Sequence, residues 1–296
     1  MDWQKPDINL FRSGLFSRDG MGSDSSLANI LMLADKYDTE ICVEGGILYR
    51  YYNGKSENRN GYGFPLSKDP IDISACIKLL SEDAKRRNIP LKFCLCDESQ
   101  KALIDRFVNV QWNSNIDDND YIYGRERLAS LSGRKLQKKR NHVNHFKNAY
   151  PDHRYEEIGL CNKSAALEIA SKWLEERPEP SVAEILEYEA IGYSLLNFFD
   201  MNVFGGILYV GDVPVAMTIA SEISPKCIDV HYEKAIGEYA RNGAFAMVNQ
   251  CFASSQAVSG YEFINREEDM GIEGLRQAKE TYDPLYKLQK FYGEVI

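Results

Sequence analysis

The chain has 296 residues, 44% of them hydrophobic and 27% charged, values close to globular averages that exclude a disordered or fibrous chain. Its formal net charge of −9, from 35 basic and 44 acidic residues, argues against diffuse attraction of the whole molecule to nucleic acid or acidic lipid. No run approaches the roughly 18 apolar residues of a membrane helix, the opening MDWQKPDINL lacks a signal-peptide core, and the seven scattered cysteines read as reduced thiols of a soluble, cytoplasmic protein.

In chain order, a tail to Asp24 precedes SSLANILMLADKYD, a helix that Ser25 or Asp24 can cap. EICVEGGILYRYYNG reads as two strands turned at Gly45-Gly46. Asp72 to Arg87 has helical periodicity and stops before Pro90; LKFCLC is a strand, and Glu98 to Phe107 a helix. Cys94 and Cys96 are expected to share one strand face as small core residues, and no second pair completes a zinc site. IDDNDY reads as an acidic loop. After the basic segment come the strand RYEEIGL, helices over 163–176 and 181–199, and three strands, the first two joined at Gly211-Asp212. A helix from Arg241 to Ala257, the strand YEFIN, a helix over 271–281 and an apolar stretch close the chain. The order predicts an α+β fold. Gly45-Gly46-Ile47-Leu48-Tyr49 recurs as Gly205-Gly206-Ile207-Leu208-Tyr209, which predicts a duplicated domain with Ile47 and Ile207 at equivalent places.

Three segments carry candidate chemistry. From Arg127 to Pro151 there is no Asp or Glu, against seven Lys and Arg residues. Ser132 can cap a helix there that buries Leu136, Val143 and Phe146 and presents Arg134, Lys138, His142 and His145 along one face. A solvated face usually mixes signs, so this row reads as a polyanion site, with a plain solvated face as the alternative. His142 and His145 have no acidic or thiol partners nearby, and no metal is expected. In the strand from Lys226 to Ala235, alternation places Asp229, His231 and Glu233 on one face, either lining a cavity or facing solvent. Asn265 to Asp269 lies where a strand feeds a helix, a favoured ligand position, and Arg276 and Lys279 follow; helix-capping acids are the simpler reading. Near Gly243 the sequence half matches a pyrophosphate loop, but Ala240 and Phe245 stand where a Gln or Arg and a small residue belong.

SGRKLQKKRNHVNHF, the HYEKA strand end and NREEDMGIEGLRQAK together resemble an uncharacterised bacterial family related to the C-terminal catalytic domain of phosphatidylglycerol lysyltransferases. The likeness runs from about Asp120 to the C-terminus. It implies tandem domains of the GCN5-related N-acetyltransferase (GNAT) type, with mixed sheets flanked by helices, as also in Fem-type transferases that use aminoacyl-tRNA. The expected division is 1–122, a basic connector over 123–152, and 153–296. The implied activity is acyl or aminoacyl transfer from tRNA or CoA to an amine or hydroxyl of a small-molecule, peptide or lipid acceptor, with no resident cofactor. Glu233 or His231 would be the base. Arg134, Lys138, Lys139, Arg140, Asn141, His145, Asn265, Arg276 and Lys279 would bind the donor's phosphates, with aminoacyl-tRNA favoured over acetyl-CoA. The alternative is a non-catalytic module holding an anionic metabolite or nucleic acid.

Overall fold

The computed structural model describes residues 1–12 and 20–296. Along the chain run α1 (Asn9–Arg12), α2 (Leu27–Met32), β1 (Thr39–Glu44), β2 (Ile47–Asn53), β3 (Asn60–Tyr62), α3 (Ile73–Arg87), β4 (Lys92–Cys96), α4 (Glu98–Ile104) and β5 (Val110–Ser114). Then come β6 (Asp120–Gly124), α5 (Arg125–Ser130), α6 (Gln137–Ala149), β7 (His153–Glu157), α7 (Lys163–Glu175), α8 (Val182–Leu196), β8 (Phe204–Val210), β9 (Val213–Ser224) and β10 (Cys227–Ala235). The last elements are α9 (Gly237–Arg241), α10 (Ala244–Ser254), β11 (Phe263–Asn265), α11 (Glu273–Glu280), β12 (Tyr286–Leu288) and β13 (Phe291–Val295).

The strands form two sheets, ordered β1-β2-β3-β4-β13-β5 and β7-β8-β9-β10-β11-β6-β12. In the first, β3 and β4 are parallel and the other neighbours antiparallel. In the second, β10 and β11 are the parallel pair. Leaving out β7, the sheets match strand for strand in order and direction. A helix joins each parallel pair, α3 in one unit and α10 in the other, as a parallel connection requires. The correspondence includes an exchange: β6 precedes the second unit's helices yet fills its sheet, while β13 returns from the C-terminus into the first sheet. The boundary expected at 122–123 therefore cuts through β6, and 291–295 pairs with the N-terminal unit.

The matching sheet order supports duplication, but the GGILY recurrence does not mark it. Gly45 and Gly46 (φ +61° and +78°) form the β1–β2 turn, whose counterpart is the β8–β9 turn at Gly211. Ile207 lies in β8, opposite Met217 of β9, whereas Ile47 opens β2, the counterpart of β9. Gly205 and Gly206 sit inside β8 because neighbours press on them; a Cβ on Gly205 would lie 2.0 Å from the Thr218 carbonyl oxygen. Gly205→Ala should therefore break the β8–β9 ladder and destabilise the fold by a few kcal/mol, about the range of severe packing substitutions. Urea denaturation measures the loss, and a change under about 0.5 kcal/mol would contradict the close approach.

Helix ends follow local chemistry. Ser26 caps α2 by accepting from the Asn29 N–H, one residue beyond the expected cap, and Asp72 caps α3. Ser181 and Glu184 form a capping box on α8. Helix α6 begins at Gln137 instead of just after Ser132, because Arg140 donates to the carbonyls of Leu131 and Gly133 and folds the preceding loop onto the helix. Cys94 and Cys96 face opposite sides of β4: Leu95 between them has φ +58°, and the two thiols join separate apolar clusters. Burial pushes the Cys94 thiol up to about 12, in keeping with an inert core group. No helix among the described residues is long and apolar enough to cross a membrane.

Candidate active site at the parting of two strands

Strands β10 and β11 are registered only through Asp229↔Asn265. Beyond that point β10 continues to Ala235 with β9 alone as its partner, so the second sheet opens at its centre. The pairing with β9 shifts between Val230 and Tyr232, leaving His231 as a bulge. The extra residue breaks the expected alternation. Tyr232 packs with Trp173 and Ile169 in the core under α7 and α8, whereas Glu233 turns toward α10. His231 and Glu233 thus have separate partners instead of sharing a face.

Glu233 accepts from Asn249 Nδ2 at 3.1 Å and from Arg266 Nη2 at 3.1 Å. Arg266 lies over the Tyr282 ring, 4.7 Å from its centroid, and Lys139 of α6 sits 3.8 Å from the same centroid. Lys139 makes no ion pair among the described residues. Burial, reinforced by Arg266 and partly offset by Glu233, depresses its ammonium to about 8. Three polar atoms beside this cluster are buried without a hydrogen-bond partner: Arg266 Nη1, Asn249 Oδ1 and Thr218 Oγ1. Thr218 is paired in register with Glu233. Unsatisfied buried groups of this kind are rare and call for a cause.

His231 forms a second cluster. Its Nε2 is 2.8 Å from Ser221 Oγ, and its Nδ1 is 3.2 Å from Glu267 Oε1 and 3.5 Å from Asp229 Oδ2. Ser221 lines a cavity of about 570 Å³ walled by Phe11, Leu27, Phe198, Phe204 and Tyr261. Burial raises the Asp229 carboxyl well above its ordinary range, and the nearby Glu267 and Asp120 carboxylates add to the effect.

A buried ion network seats the two units on one another. Lys290 Nζ lies 2.7 Å from Asp24, 2.6 Å from Asp120 and 3.7 Å from Glu268. Arg59 bonds Asp24 at 2.9 Å and Glu268 at 3.0 Å. Burial alone would raise Asp24 and Glu268, but Lys290 and Arg59 outweigh it and hold both carboxyls low. Asp269 is likewise pushed up by burial and brought down to about 2 by hydrogen bonds from Arg276, Tyr121 and the Gly271 N–H. Each depressed carboxyl contributes stability that is complete above its unfolded value near 4 and is lost as pH falls through its folded value. Stability measured by urea should therefore fall as pH drops from about 5 toward 2, and Asp269→Asn should flatten that fall. An equal acid dependence in the variant would remove Asp269 as a contributor.

Of the residues expected to act, Glu233 and Lys139 come together. Lys138, Asn141 and His145 lie exposed on α6, and Arg134 is exposed in the loop before it. Arg140, Asn265, Arg276 and Lys279 make contacts within the fold. Arg140 ties the loop before α6. Asn265 donates to Asp120 and to the Met21 carbonyl, each at 2.8 Å. Arg276 pairs with Asp269 and Asp117. Lys279 Nζ donates to the carbonyls of Arg266, Glu267 and Glu268, fixing the turn after β11. The basic segment is also less bare than its sequence, since Asp283 from beyond α11 pairs with Arg127 and Lys135. A concavity of about 820 Å³ opens beside it, lined by Arg125, Arg127, Ser130 and Gly133. Arg266, Asn249, Thr218 and Tyr282 went unassigned; Arg266 alone had a signal, its place where a strand feeds a helix.

The family described as phosphatidylglycerol lysyltransferase, C-terminal, matches residues 18–292. An uncharacterised protein of Mycoplasmoides gallisepticum is 23% identical over 185 residues, 60% of this chain and 56% of that protein. The chain thus spans little more than half the length of the curated relative it matches. A conserved protein of unknown function from Bacteroides thetaiotaomicron is 30% identical, covers both chains in full and superposes with a TM-score of 0.88. L-PGS from Bacillus licheniformis is 14% identical over 98% of this chain and 93% of that one, with a TM-score of 0.66. FemX, at 8% identity over 100% and 98% of the two chains, gives 0.61. The architecture is the tandem GNAT-like α+β fold. The chain belongs to the phosphatidylglycerol lysyltransferase C-terminal family.

Proposed function

We propose that this protein transfers an aminoacyl group from tRNA to an amine or hydroxyl acceptor, and that the group is held where β10 and β11 part. The observation that carries this reading is the set of buried, unpartnered atoms around Glu233. Arg266 Nη1 is a donor suited to a carbonyl oxygen that becomes an oxyanion. Asn249 Oδ1 and the fixed Glu233 carboxylate suit an α-ammonium. An aminoacyl ester offers both groups a short distance apart, and an acetyl thioester offers only the first.

In the reaction, a bond forms between the acceptor's nitrogen or oxygen and the aminoacyl carbonyl carbon, and the ester bond to the ribose oxygen breaks. The acceptor's proton must leave and the ribose oxygen must gain one. Lys139, depressed to about 8, can accept the first and return it to the second. Glu233 then serves as the positioning carboxylate, and His231, engaged by Ser221 and Glu267, takes no part in the proton transfer. The transfer rate should rise with pH through about 8 as Lys139 loses its proton, and Lys139→Arg should abolish that limb. A limb that persists in the variant would assign the titration to another group.

The pyrophosphate-loop region supports tRNA over CoA. The Gly237 N–H is taken by Glu176 Oε1 at 2.6 Å. Helix α6 closes over the start of α10, where a Cβ on Gly243 would sit 2.5 Å from the His142 carbonyl oxygen. A thermal-shift comparison tests the choice: a stable aminoacyl-adenosine analogue at 100 times its Kd should stabilise the fold by about 2.7 kcal/mol, and CoA should leave it unchanged. Stabilisation by CoA alone would reverse the assignment.

A further inference from the structure

Asp229 presents an anomaly that aminoacyl transfer does not explain. Its carboxylate is fully buried, and neither oxygen has a hydrogen-bond partner. Among the described residues, the neighbouring lysines are engaged elsewhere. Lys290 is shared among Asp24, Asp120 and Glu268, and Lys279 is spent on three backbone carbonyls. A desolvated carboxyl in this state either keeps its proton or is neutralised by something positive bound beside it, and in neither case does the protein satisfy its oxygens.

We infer that Asp229, His231 and Glu267 form a binding site for one divalent transition-metal ion of the zinc or manganese class. One ligand atom from each lies within 4.8 Å of the other two. The distances from His231 Nδ1 to Glu267 and Asp229, 3.2 and 3.5 Å, match the edges of a tetrahedron with bonds of about 2.1 Å, roughly 3.4 Å long. Two backbone irregularities aim the ligands. The β10 bulge re-aims His231, and Glu267 adopts φ +57°, a conformation that costs a non-glycine residue energy and is kept where the site requires it.

Outer contacts complete the arrangement. His231 keeps Nε2 for Ser221 Oγ at 2.8 Å, which fixes Nδ1 as the coordinating nitrogen. Asn29 Nδ2 donates to Glu267 Oε1 at 3.1 Å and orients that carboxylate. Two carboxylates and one imidazole make a hard-to-borderline donor set, which favours Zn²⁺, Mn²⁺ or Fe²⁺ over Cu⁺. Three protein ligands leave a coordination position open. Ser221 links the ion to the aromatic-walled cavity.

The inference stands apart from the transfer reaction and is tested by binding. The exposed Cys161 is first replaced by serine to remove a competing thiol. The chelator-stripped full chain is then titrated with Zn²⁺ and with Mn²⁺ by calorimetry. One saturable equivalent of at least one ion is expected, with Asp229→Asn and His231→Gln each weakening it tenfold or more. Co²⁺ should give visible absorption bands that His231→Gln abolishes. Circular dichroism checks folding, and Glu267→Gln substitutes for any variant that does not fold. Absence of a saturable equivalent, or equal affinity in the folded variants, overturns the site.

Discussion

Lys290→Met should cost about 3–5 kcal/mol of stability, the usual consequence of removing one partner from a buried ion pair. Lys290 is 3% exposed and sits among Asp24, Asp120 and Glu268, so its loss strands carboxylates away from water. It also precedes β13, the strand that returns to the first sheet, and a typical domain has only about 5–15 kcal/mol in total. Urea denaturation at pH 7 measures the effect. Adding Asp120→Asn should recover part of it, because Asp120 is already raised by burial and tolerates a neutral side chain. A loss below about 1 kcal/mol would mean that Arg59 suffices to balance the network.

Arg266→Met should lower the transfer rate by about 10²–10³, the loss that follows removal of one oxyanion donor. The substitution keeps the apolar stem on the Tyr282 ring while removing Nη1 and the bond to Glu233. Binding of the aminoacyl-adenosine analogue should weaken far less than the rate, since the interaction strengthens in the transition state. Equal losses in binding and rate would assign Arg266 to ground-state binding alone.

Much of the fold was legible because most elements carry their own periodicity and caps. Helix α3 is bounded by Asp72 and Pro90, and the β8–β9 hairpin by Gly211. Strand β6 was not legible. DYIYG follows an acidic run, and Asp120 is fully buried in the ion network, so a strand looked like a loop. The exchange of β6 and β13 depends on pairings between the ends of the chain, which no local pattern records. In the site, Glu233 and Lys139 could be named from charge and position. The bulge at His231 could not, since strict alternation predicts the wrong side for every residue after it. Asn249 and Thr218 are ordinary polar residues on a helix and a strand, and only the parting of β10 from β11 leaves their atoms without partners. Asn265 at the strand end, and Arg276 and Lys279 on the helix after it, read as candidate phosphate ligands, but tertiary contacts engage them with Asp120, Asp269 and the carbonyls of the turn after β11.

The most direct test of the central claim is to incubate the full chain with tRNA charged with labelled amino acids, offering phospholipid vesicles, peptides and small amines as acceptors. The account predicts movement of label from tRNA to one acceptor class, dependent on Arg266 and Lys139, with no acetyl transfer from acetyl-CoA. Acetyl transfer from CoA with charged tRNA left intact would contradict it, as would tight retention of charged tRNA without any loss of label.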